Sequence, residues 1–117
     1  MRFLGLATLL ALVTSCGEPP KDCFASCDKL FGEGEGQCNI VVPGRTSQEM
    51  SNDCVATCEH ALARSGELGS YNPDERSSGS DDVSIDNEQQ AAAWMDCIAD
   101  TACDLLKSNY CAPTTNF

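Results

Sequence analysis

The residues in this 117-residue chain best equipped for chemistry are its nine cysteines: Cys16, Cys23, Cys27, Cys38, Cys54, Cys58, Cys97, Cys103 and Cys111. An odd number in an exported protein leaves one sulfur without a partner. Two close pairs, Cys23 with Cys27 and Cys54 with Cys58, have C-x-x-x-C spacing. That is neither the C-x-x-C of a redox site nor the pattern that attaches a c-type haem. His60 is the sole histidine, and a zinc set of Cys54, Cys58 and His60 would need reduced thiols, which export disfavours. Any Ser-His-Asp or Cys-His mechanism has only His60 to draw on, and helical spacing puts it on an exposed or boundary face beside Glu59. No catalytic residue, metal or cofactor is therefore assigned. The carboxylates of Asp74, Glu75, Asp81, Asp82, Asp86 and Glu88 lack the glycine and spacing of an EF-hand loop. They read as a solvated segment.

Arg2 precedes an apolar run over residues 3–13. A membrane-spanning helix needs about 20 apolar residues, so this run fits the shorter apolar region of a signal peptide, with residues 1–15 removed. Val13, Thr14 and Ser15 stand directly before Cys16. This stretch resembles the lipobox of bacterial lipoproteins, which most often carry Leu where Val13 stands and Gly or Ala where Ser15 stands. The resemblance covers residues 1–17. It implies cleavage before Cys16, a diacylglyceryl thioether on its sulfur and, in many bacteria, an acyl group on the new amino terminus. Two or three chains on one residue suffice for stable anchoring, whereas one does not. Gly17, in place of the Asp that tends to retain such proteins at the inner membrane, implies the outer membrane. The competing expectation is an ordinary secreted protein, since Val13 and Ser15 also suit the general signal peptidase.

With Cys16 given to lipid, eight cysteines remain, an even set suited to four disulfides in an oxidising compartment. With Arg2 gone, six of the seven Lys and Arg residues face 18 Asp and Glu, a net charge of −12. The six, Lys21, Lys29, Arg45, Arg64, Arg76 and Lys107, are scattered. A phosphate backbone calls for clustered cations, so nucleic acid is not an expected partner. Only 6% of the chain is aromatic, a poor supply for a core, and covalent staples are the usual remedy at this size.

Residues 16–21, with two prolines, read as a tether, and residues 22–112 as one cysteine-rich domain. Asp22 is placed to cap a first helix over residues 23–31, on which Cys23, Cys27, Leu30 and Phe31 form a stripe. The glycines of residues 32–36 end it. Residues 38–42 suggest a short extended piece, closed by Pro43 and Gly44. Thr46 and Glu49 have capping-box spacing at the head of a second helix, with Met50, Cys54, Cys58, Ala61 and Leu62 on one face. Residues 65–86 are rich in Ser, Gly, Asp and Glu, and form a loop long enough to be mobile or functional. Asp86 and Gln89 suggest another capping box, opening a third helix whose core stripe is Ala91, Trp94, Met95 and Ile98. Thr101 and Asp104 restart a short helical turn. Cys111 and Pro113 close the structured part, and within the tail at residues 113–117 the last four, Thr114 to Phe117, are expected to fray.

Side chains four apart on a helix have β-carbons about 5–6 Å apart, and a disulfide wants about 3.5–4.5 Å. Neither close pair should therefore bridge within itself. Two antiparallel helices with the same spacing resolve this by joining Cys27 to Cys54 and Cys23 to Cys58. Cys38, Cys97, Cys103 and Cys111 leave three pairings open, with Cys38 expected to tie the interhelical loop to the C-terminal segment. The arrangement looks like that of small twin C-x-x-x-C proteins of the mitochondrial intermembrane space, a similarity of spacing alone. The rival is a third helix that takes one sulfur from each of the first two through Cys97 or Cys103. The expected fold is all-α: about three helices, a stapled helical hairpin and long polar loops. The expected role is a lipid-anchored envelope module for binding or structure, its partner being the membrane through Cys16 and, in addition, a protein that would meet the loop at residues 65–86. The alternatives are a secreted disulfide-rich inhibitor or toxin and, further off, an enzyme.

Overall fold

The structure is a computed structural model and describes residues 22–77 and 83–117. Among these, the chain is all-helical, with α1 over Cys23–Phe31, α2 over Ser47–Leu62, α3 over Glu88–Asp100 and a short α4 over Cys103–Leu106. Asp22 caps α1 by accepting the Ala25 N–H at 2.6 Å, which satisfies one of the donors a helix start leaves open. Gly32 ends it for a reason of space. A β-carbon there would lie 2.2 Å from the Gln37 side-chain oxygen and 2.5 Å from the Asp28 carbonyl. Gln37 uses that room to accept the Gly34 N–H at 2.6 Å and to donate to the Asp28 carboxylate.

Thr46 caps α2, its Oγ1 accepting the Glu49 N–H at 3.1 Å. The third helix starts one residue later than its capping-box spacing suggests. Asn87, not Asp86, is the N-cap, and its Oδ1 accepts from both Gln89 and Gln90 at 3.1 Å. Gln90 in turn accepts the Asp86 N–H at 2.8 Å. The choice falls to Asn87 because its amide also donates to the Glu67 carbonyl at 2.9 Å, and a carboxylate has no such donor.

The three long helices run up, down and up. The Glu88 N–H meets the Arg64 carbonyl at 2.8 Å, joining the end of α2 to the start of α3. At the opposite end, the Lys29 ammonium on α1 donates to the carbonyls of Ile98 at 2.6 Å, Ala99 at 3.2 Å and Thr101 at 2.8 Å. Those carbonyls belong to the helix end that has no further turn to bond them, and it carries partial negative charge. Burial lowers the Lys29 pKa below its ordinary value, and Asp100 opposes that shift. The core between the helices is built on Leu30, Phe31, Met50, Trp94, Ile98 and Leu106, together with the cystine sulfurs.

Residues 38–42 form no strand. They run along the end of α1 with Asn39 in the left-handed region at φ 46°, and the N–H groups of Cys38 and Ile40 meet the carbonyls of Lys29 at 2.7 Å and Leu30 at 2.9 Å. The C-terminal segment does not fray. Thr114 is buried, and the Phe117 ring meets Phe31 edge-on at 6.0 Å and Trp94 at 6.1 Å. Trp94 Nε1 donates to the Pro113 carbonyl at 2.8 Å, and Arg45 Nη1 donates to the Phe117 carbonyl at 3.1 Å. A buried indole needs an acceptor, and residues 113–117 supply it while covering the ring.

Candidate functional site

The cysteines settle the frame of any site. Cys23 joins Cys58 and Cys27 joins Cys54, with α-carbons 5.6 and 5.9 Å apart, so α1 and α2 are stapled at two levels. Cys38 joins Cys103 at 5.1 Å, tying the α1–α2 connection to α4, and Cys97 joins Cys111 at 5.7 Å. The third helix takes no sulfur from the first two; packing holds it against them. Cys54 and Cys58, being bridged, offer no thiolate to a metal. His60 is exposed on α2. Cys16, Asp81 and Asp82 lie outside the described residues.

The described part of the segment at residues 65–86 is pinned along its length, not only at its ends. Tyr71 Oη donates to the Ala112 carbonyl at 2.7 Å, the Cys111 N–H meets the Pro73 carbonyl at 2.9 Å, Arg76 Nε meets the Ser108 carbonyl at 3.1 Å, and the Ser77 N–H meets the Asn109 carbonyl at 3.1 Å. Against the other side of Cys111, Thr101 Oγ1 lies 3.3 Å from its sulfur and 3.6 Å from that of Cys97. A bridge has no S–H, so the hydroxyl is the donor in both contacts.

Two open clefts flank this zipper. One, of about 410 Å³, is lined by Tyr71, Glu75, Arg76, Ser84, Asp86 and Gln90. The other, of about 390 Å³, holds Asp74, Asp96 and Asp100 around Pro73, beside the Cys97–Cys111 bridge. Both offer hydrogen-bonding and negatively charged groups, chemistry suited to a polar or basic group of a partner. Tyr71 sits between them, and burial first, then Asp74, pushes its pKa well above the ordinary value.

That shift has a consequence for stability. The unfolded chain loses the Tyr71 proton near pH 10 and the folded chain holds it higher, so stability is intact below pH 10 and falls as pH rises past it. Replacing Tyr71 with Phe is expected to cost about 1 kcal/mol at pH 7, through the lost bond to Ala112, and to flatten the loss of stability between pH 9.5 and 11.5 measured by urea unfolding. An unchanged alkaline slope in Y71F would remove Tyr71 as its origin.

Comparisons with protein-family models, with curated proteins and with solved structures find no match for this chain. Its site therefore rests on its own residues. The periodicity of the sequence locates the helices and sulfurs, but it misses Tyr71, Pro73 and Thr101. They sit in irregular or boundary positions, and what identifies them is hydrogen bonding across 10 to 41 residues of sequence, through the hydroxyls of Tyr71 and Thr101 and the carbonyl of Pro73.

Proposed function

We propose that this is an exported protein held on the cell envelope by lipid on Cys16, a non-catalytic module that binds a partner or serves a structural role there. The observation that carries the reading is the pairing of the other eight cysteines with one another. It leaves Cys16 as the one sulfur outside the four bridges, at the position where a lipobox-like stretch would deliver it. A domain with four bridges belongs in an oxidising compartment. Among the described residues no helix is long and apolar enough to cross a membrane, so attachment would fall to the acyl chains. Outer-membrane placement rests on Gly17 following the cysteine. Partner contact is assigned to the rigid zipper at residues 71–77 and its two acidic clefts, since fixed polar groups recognise a partner at lower entropic cost than free ones.

Intact mass of the native protein under non-reducing conditions tests this directly. The expected species begins at Cys16, carries two or three acyl chains and has no titratable thiol. A Cys16→Ser variant is expected to leave the membrane fraction. Native protein with an unmodified Cys16 would overturn the anchor and return the chain to the secreted class.

A further inference from the structure

The end of the bundle nearest the tether carries an apolar rim. The up-down-up order places the starts of α1 and α3 and the finish of α2 together, through the Cys23–Cys58 bridge and the contact between Glu88 and Arg64. Phe24, one residue into α1, is 68% exposed, and Leu62, at the last residue of α2, is 40% exposed. Phe24 follows Cys23 by about 100° of helical turn, and Leu62 follows Cys58 by about 40° in the antiparallel neighbour. Both rotations lead to the same side of the hairpin, away from α3.

We propose that this rim rests on the lipid surface, with Phe24 as its principal contact. The inference rests on lipid at Cys16. Five residues separate Cys16 from Asp22, six chain steps with a reach of about 20 Å at full extension. The tether joins the fold at the start of α1, so this end is the part of the domain held nearest the bilayer. It also holds the rim at high local concentration beside the surface, so a contact too weak to recruit a free protein suffices. Charge selects the kind of surface. The acidic residues at and next to these helix ends, Asp22, Glu59, Glu67, Asp86 and Glu88, outnumber Arg64 and His60, so the contact is apolar, favours zwitterionic headgroups and weakens as anionic lipid is added.

The test uses the native lipidated protein in phosphatidylcholine vesicles, with and without bromine on the acyl chains. Indoles are introduced by Phe24→Trp and, at the far end, by Leu105→Trp, where Leu105 is 46% exposed. Trp94 is fully buried in both and gives a common background. The expected result is loss and blue shift of the emission from position 24 in brominated vesicles and neither at position 105. Vesicle-bound protein whose position 24 stays unquenched and red would overturn the contact while leaving the anchor intact. A blue shift without bromine quenching would assign the rim to a second copy of the chain. Protein that does not float with vesicles, and has no acyl mass, would overturn the anchor and the contact together.

Discussion

Full reduction of the oxidised domain is expected to unfold it at room temperature. The four bridges join residues 35, 27, 65 and 14 apart, and each closure taken alone is worth about 3–4 kcal/mol in the chain-entropy model. Loops that share chain contribute less than their sum, which brings the set to roughly 10 kcal/mol, as large as the net stability of an ordinary small domain. The hydrophobic core has little to set against that loss, since one Trp, two Phe rings and a few aliphatics fill it and the sulfurs themselves occupy its centre: Cys27, Cys54, Cys58 and Cys111 are fully buried. Reduced thiols at those positions would also need more room than a bridge. The measurement is far-ultraviolet dichroism and Trp94 emission with a phosphine reductant; helix signal is expected to fall and emission to move red. Under partial reduction the first bridge to open should be Cys38–Cys103, because Cys103 alone among the eight is only partly buried. A reduced protein melting at the same temperature as the oxidised one would refute the account.

The helical framework was legible because its signals are periodic. The stripe on α1, the Thr46 cap and the twin four-residue cysteine spacing each follow from helix geometry alone. What periodicity cannot carry is the closure of irregular segments on one another. Asp86 and Asn87 are adjacent residues with equal title to an N-cap, and only the distant Glu67 carbonyl distinguishes them. Residues 65–77 look like a solvated loop by composition, yet their backbone meets that of Asn109 and Cys111, and the Tyr71 and Arg76 side chains reach the carbonyls of Ala112 and Ser108. Each of these bonds ends on a chemically uniform peptide carbonyl, and no side-chain periodicity records which one. The candidate clefts inherit this. Their carboxylates are visible in the sequence, whereas their shape is set by the zipper. The rim of Phe24 and Leu62 escapes notice for the opposite reason, as two apolar residues on different helices come to one side only when the hairpin is stapled.

Deleting residues 114–117 is expected to destabilise the oxidised domain by about 2–3 kcal/mol. Phe117 is partly buried and its ring meets two aromatic neighbours edge-on. Removing a fully buried Phe side chain costs about 3–5 kcal/mol, and the partial exposure of Phe117 brings the figure down. Arg45 loses the Phe117 carbonyl but keeps Asp53 and Glu49, so little of the cost comes from a stranded charge. Pro113 remains, and with it the acceptor of the Trp94 indole. The truncated protein should therefore stay folded behind its four bridges, with its urea midpoint lowered and Trp94 newly open to acrylamide quenching. Alanine at Thr115 or Asn116, both exposed, should change neither. If the truncation leaves midpoint and quenching as they were, the segment is a free tail after all, and the composition of residues 114–117 was the better guide than the aromatic contacts. If both move, a segment with a single large apolar residue completes the core, because Phe31 and Trp94 together form a surface that only one more ring is needed to close.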